Sequence, residues 1–214
     1  MKWKPILALL TLTAAVAAAF AWYSIGSSTE ALADLQVGSE APAFTLKDST
    51  GKERSLSDFR GKFVVLEWFN EGCPFVKGHY ESGNMQKLQG EYTGKDVVWL
   101  SINSSARWKQ GHMTSESAAK TISEWKMKAT SILFDHDGKV GKMYGAKTTP
   151  HMFVIDKEGK LVYQGAIDSK ATANAADVAD AENYVKVALD NSIAGKPVSN
   201  ASTKPYGCSV KYKE

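Results

Sequence analysis

The run Phe63-Val64-Val65-Leu66-Glu67-Trp68-Phe69, followed at once by Asn70-Glu71-Gly72-Cys73-Pro74-Phe75-Val76, decides the fold. Seven residues with a single polar interruption read as a strand buried on both faces. Proline suits the first turn of a helix, where its missing N–H has no partner in any case. The pattern therefore predicts a central strand, a short turn, and a helix that opens at Cys73-Pro74. It predicts a break at Ser82-Gly83-Asn84 and a continuation to about Gln89. A thiol at such a helix start meets the positive end of the macrodipole and free backbone N–H groups, and both favour the reactive thiolate.

Upstream, Phe44-Thr45-Leu46 and the stretch near Leu56 flank Asp48-Ser49-Thr50-Gly51-Lys52, a hairpin signal. Downstream, Val97 to Ile102 reads as a second strand. Ser115 to Lys128 reads as a helix, because Ala118, Ile122, Trp125 and Ala129 share one face. Ile132 to Phe134 is a short strand, with a short helix near Val140 to Tyr144. His151 to Ile155 and Leu161 to Ala166 are two strands joined through Asp156-Lys157-Glu158-Gly159. A last helix is expected from a cap at Asp180 through Ala194, stopped by Gly195 and Pro197. Ala171 to Ala181 reads as a loop. Asp135-His136-Asp137-Gly138 opens like a calcium loop, but Ala146 stands where the twelfth-position Glu belongs, so it reads as a turn. Strand–helix units closed by a hairpin and a helix place the chain in the α/β class.

The 214 residues carry a formal charge of +3, with 43% apolar and 23% charged residues. That is ordinary globular composition. The small, scattered positive charge excludes a nucleic-acid surface. Lys2 and Lys4 precede an apolar run from Ile6 to Ile25, which reads as an export signal. Ala31-Leu32-Ala33 and Ala19-Phe20-Ala21 are competing cleavage sites, with cleavage preferred. The run at 6–25 is also long enough to serve as a membrane anchor. The expected organisation is 1–33 signal or anchor, 34–198 folded domain, and 199–214 a polar tail holding Cys208. The expected location is extracytoplasmic, periplasmic or secreted, where a disulfide can persist.

With Glu67 six positions before Cys73, and Thr149-Pro150 just before Phe153-Val154-Ile155-Asp156, the chain resembles the thioredoxin superfamily. The segment Gly38-Ser39-Glu40-Ala41-Pro42-Ala43-Phe44 resembles the start of its peroxiredoxin-like branch, the AhpC/TSA and TlpA/ResA-like proteins. Asn70 to Val76, His79-Tyr80 and Pro205-Tyr206-Gly207-Cys208 are similar to one peroxiredoxin-like subgroup of that branch. The resemblance covers about Val37 to the end. It implies a thioredoxin-like fold: a central mixed sheet flanked by helices, here with an N-terminal hairpin and a C-terminal tail. It also implies that Cys73 attacks and that Glu67 accepts or relays the thiol proton. Thr149-Pro150, as a cis-proline loop, would dock an extended substrate beside Pro74. The substrate would be a protein thiol or disulfide, with an external thioredoxin-like electron donor and no cofactor.

Several departures limit the resemblance. Val76 replaces the second cysteine of a thioredoxin motif, so dithiol exchange at the helix tip is excluded. Asn70 and Leu66 stand where peroxiredoxins need Thr or Ser and Pro, and the only arginines are Arg54, Arg60 and Arg107. Asn70 keeps a weak thiol peroxidase open as an alternative, since its amide could donate to a peroxide. Cys208 is the only internal resolving partner. Its contact with Cys73 reads as a redox pair, a structural disulfide or no contact, in that order. A further alternative is a non-catalytic binding protein or a metal carrier, with Cys73, His79 and His151 as weak ligand candidates. The blander reading of His79 is a partly buried helix residue, and an exposed Cys73 is expected.

Overall fold

The computed structural model describes Met1 and residues 35–214. The export segment, with its anchor reading at 6–25 and both cleavage sites, lies outside the described residues. Among those described, no helix is long and apolar enough to cross a membrane. The chain begins with β1 (Thr45–Asp48) and β2 (Glu53–Ser55). Buried Asp48 closes their turn by accepting from the N–H groups of Thr50 at 2.9 Å and Lys52 at 3.0 Å. Then come β3 (Val64–Trp68), α1 (Pro74–Glu81), α2 (Asn84–Thr93) and β4 (Val98–Asn103). These are followed by α3 (Ser115–Glu124), β5 (Ser131–Phe134) and α4 (Lys139–Met143). The chain finishes with β6 (Thr148–Thr149), β7 (His151–Ile155), β8 (Leu161–Gly165), α5 (Tyr184–Ile193) and β9 (Cys208–Ser209).

Seven strands form one mixed sheet in the order β2-β1-β5-β4-β3-β7-β8. β3 is parallel to β4 and antiparallel to β7, so it lies inside the sheet as its apolar run predicts. Its side chains alternate between two cores. Val64, Leu66 and Trp68 pack with Leu100, Ile102, Tyr144 and Phe153. Val65 and Phe69 pack with Tyr80, Leu88, Tyr92, Trp99 and Val154, and Cys73 belongs to this second core. Burying a large apolar side chain of this kind contributes about 1.5–3 kcal/mol. The hairpin at 45–55 extends the sheet, and residues 35–214 belong to one compact unit with the tail included.

Two expectations move. α3 stops at Glu124 rather than Lys128, because Lys126 takes a left-handed φ of 51°. Asn183, not Asp180, caps α5, its side chain accepting from Lys186 N–H at 2.9 Å; Asp180 ends a short 3-10 turn inside the Ala-rich loop. The tail pairs as β9 with β6 in a second, two-stranded sheet, Thr149 opposite Cys208.

Candidate active site

Cys73 is the residue at which the chain turns into α1. Its backbone is extended (φ −84°, ψ 122°), and Pro74 opens the helix, largely exposed. The turn before it is braced by Asn70, whose Oδ1 accepts from Gly72 N–H at 2.8 Å. The Asn70 amide donates to Ser105 Oγ at 3.3 Å and to the Gln110 carbonyl at 3.1 Å. This corrects the peroxide-donor expectation: the amide hydrogens are already engaged, so Asn70 holds the turn. The arginines are equally distant from peroxidase use. Arg54 pairs with Asp48 and Arg60 with Glu40, while Arg107 lies over the Trp108 ring.

Cys73 is fully buried, contrary to the exposed thiol expected at this position. The tail is the reason. Cys208 Sγ lies 2.8 Å from Cys73 Sγ, and the two thiols are not bonded. Cys73 also donates to the Thr149 carbonyl at 3.0 Å. The Thr149–Pro150 peptide is cis, and both residues are buried. Burial pushes the Cys73 thiol up. The hydrogen bond from Cys208 and the Val76 N–H in the first helical turn outweigh burial and leave it below the usual thiol range. The Thr149 hydroxyl, buried and without another partner, acts in the same sense. Cys208 moves the other way, to about 11, through burial and then through its bond to Cys73 and the charge there. The two shifts run in opposite directions, favouring the thiolate at Cys73 and the proton at Cys208.

Glu67 is wholly buried, and among the described residues no lysine pairs with it; Lys62 bonds Asp96. Its carboxylate accepts from Trp99 Nε1 at 2.8 Å, Ser101 Oγ at 2.9 Å, Tyr80 OH at 3.2 Å and Gln89 Nε2 at 3.3 Å. Burial pushes its pKa up to about 6, and these donors limit the rise. Neither cysteine is among its hydrogen-bond partners. It ties α1 and α2 to β4 beneath the helix that carries Cys73.

His79 is fully rather than partly buried and does not face Cys73. Its Nε2 lies 3.0 Å from Tyr206 OH, and its Nδ1 lies 3.2 Å from the Asn84 amide. Tyr206 OH donates to Asp168 at 2.6 Å. Burial lowers the His79 pKa against the pull of Asp168. His151 is likewise engaged, its Nδ1 accepting from Lys147 N–H at 3.3 Å. The Cys73, His79 and His151 metal grouping is not assembled; among the described residues no cluster of three or more such ligands occurs. Both rings spend nitrogens on other partners. Tyr206 and Asp168 escaped sequence reasoning as functional residues. The Tyr-Gly-Cys run was the available signal for Tyr206, and nothing marks Asp168. Trp68 and Trp99 are core residues, whereas Trp108 is 87% exposed.

A thioredoxin-like sheet with one thiol at the head of the helix after its central strand, and a second thiol brought onto it by the tail, defines the class: a thioredoxin-fold thiol protein. Residues 37–164 match the AhpC/TSA family, and the chain belongs to that family. The Cys208 tail lies beyond the matched residues. Thiol-disulfide oxidoreductase ResA of Bacillus thuringiensis subsp. konkukian is 29% identical over 131 residues, covering 61% of this chain and 69% of ResA. A hypothetical protein from Sinorhizobium meliloti superposes with a TM-score of 0.71 at 26% identity, covering 85% of this chain and 97% of that one. The thioredoxin domain of a thiol-disulfide oxidoreductase from Bacteroides vulgatus superposes with a TM-score of 0.50 at 26% identity, covering 68% and 97%.

Proposed function

We propose that the protein is an extracytoplasmic thiol–disulfide oxidoreductase in which Cys73 attacks and Cys208 resolves. The observation that carries this reading is the 2.8 Å approach of the two sulfurs, one polarised toward thiolate and the other toward thiol. The Cys73 thiolate attacks a substrate disulfide. A Cys73–substrate bond forms, the substrate S–S bond breaks, and the departing sulfur leaves as a thiolate that takes a proton from water. Cys208, on losing its proton, attacks Cys73 Sγ and expels the second substrate thiolate. The substrate gains two electrons and the Cys73–Cys208 pair loses two. An external dithiol, such as a thioredoxin-like reductant, returns the pair to thiols. The proton of Cys208 passes to water, and Glu67, with its pKa pushed up to about 6 by burial, braces α1 and α2 beneath Cys73. The ResA resemblance and the export-type N-terminus support this activity and location.

The test is a thiol-trapping titration of the protein across glutathione and dithiol redox buffers. A Cys73–Cys208 bond with a midpoint above about −270 mV is expected of an exchange couple. A bond that stays oxidised below about −300 mV identifies a structural staple, worth about 4–5 kcal/mol for a loop this long, and overturns the reading. Two thiols that never pair overturn it as well.

A further inference from the structure

The groove that covers Cys73 is filled by the chain's own tail, and the filling has a sequence. Cys208 lies antiparallel to Thr149, the backbone edge assigned above to an extended substrate. Gly207 takes a φ of +131°, and a Cβ there would fall inside the contact radius of the Thr149 carbonyl oxygen. Backbone cannot yield as a flexible side chain can, so this position accepts only glycine. Tyr206 lies against Phe75, ring centroids 5.9 Å apart, and sends its hydroxyl to Asp168 and His79. Asp168 and His79 are 2% and 1% exposed. An occupant without that hydroxyl leaves them buried with a missing partner, which is the situation in which a site discriminates most strongly between Tyr and Phe.

We propose that this groove is the substrate-recognition site, that it reads an extended polypeptide segment of the form Tyr-Gly-Cys, and that the tail is its resident intramolecular occupant. The proposal rests on the reading of Cys73 as an exchange thiol. Foreign segment and tail compete for one edge, because Cys73 is fully buried while the tail is docked. The tail is held on both sides of the groove. Thr203 N–H donates to the Gln164 carbonyl at 3.0 Å, and the Lys211 carbonyl accepts from Ala106 N–H at 2.8 Å. Tethering gives the tail a high effective concentration. A foreign segment therefore holds the edge only while covalently bound to Cys73. When the tail returns, it displaces the segment from the edge as Cys208 breaks the mixed disulfide, so release and resolution are one event.

The probes are blocked peptides containing Tyr-Gly-Cys, Phe-Gly-Cys or Tyr-Ala-Cys, each joined through its cysteine to thionitrobenzoate. Cys73 thiolate attacks the peptide sulfur, forming the mixed disulfide. The peptide–thionitrobenzoate bond breaks, and coloured thionitrobenzoate leaves with the electron pair. The protein carries Gly207→Ala and Cys208→Ser, which undock the tail and stop resolution. Tyr-Gly-Cys is expected to react on the order of tenfold faster than either other peptide. Adding Asp168→Asn should abolish the preference for Tyr over Phe. The reduced wild-type protein should show the same ranking at lower rates. Equal rates for all three peptides, or a wild type as fast as the undocked variant, overturn the groove proposal and leave the exchange reading standing. Failure to react with any peptide or with a small aromatic disulfide overturns the exchange reading itself.

Discussion

Replacing Glu67 by Gln should remove a pH dependence from the stability of the whole domain. The carboxyl titrates near 6 in the folded protein against a reference of 4.5, because burial disfavours its charge. Below 4.5 both folded and unfolded chains hold this proton. Between 4.5 and about 6 the folded chain keeps it while the unfolded chain has lost it. Above that interval both are ionised, and the folded state carries a buried charge. Stability is therefore fully present below the unfolded pKa and falls as pH rises through the folded one. At 1.36 kcal/mol per pH unit the loss amounts to about 2 kcal/mol. For a domain of this size that is a decrease of about 4–8 °C in Tm. Gln keeps one acceptor for Trp99 and Ser101 and turns a donor toward Tyr80 OH, imitating the protonated acid. Thermal melts of both proteins between pH 4 and 7.5 give two curves, and their difference isolates this group. The wild type should fall relative to the variant by about 2 kcal/mol across that range. Parallel curves would refute the assignment of a raised pKa to Glu67.

Cys208→Ala should raise the midpoint pH of Cys73 alkylation by iodoacetamide, because the side-chain hydrogen bond from Cys208 to the Cys73 sulfur is removed; an unchanged midpoint would assign the thiolate to the helix start alone. The same variant should accumulate a mixed disulfide at Cys73 with a protein substrate, visible as a reductant-sensitive mass increase, whereas Cys73→Ser should form none. Hydrogen peroxide should oxidise Cys73 no faster than an ordinary exposed thiolate, since Asn70 is engaged and no arginine is paired with the site; stopped-flow rates of a peroxidase would contradict this. Thr114→Ala should cost about 1 kcal/mol by uncapping α3, read in urea denaturation, and should leave the redox midpoint unmoved.

The elements legible in the chain were those set by local chemistry. An apolar run with one acid could only be an interior strand, and Cys-Pro after it could only open a helix. Asp48 followed by Thr50, Gly51 and Lys52 could only be a turn. The helix start marked Cys73 directly, whereas Glu67 and Thr149-Pro150 were marked only by their resemblance to the thioredoxin superfamily; Thr149 meets Cys73 and Glu67 bonds neither cysteine. Helix ends were less legible: Asn183 and Asp180 are both good caps, and only the packing of Val185, Ala188 and Leu189 selects between them. The state of Cys73 was not legible at all. Its burial and its polarisation depend on a residue 135 positions away, brought over it by the two-residue β6–β9 pairing and a buried Tyr206–Asp168–His79 contact. Residue type and spacing report on neighbours along the chain. Which distant segment covers a thiol is decided by tertiary closure, where a glycine beside a carbonyl and a tyrosine hydroxyl between two buried polar groups select one arrangement of the tail.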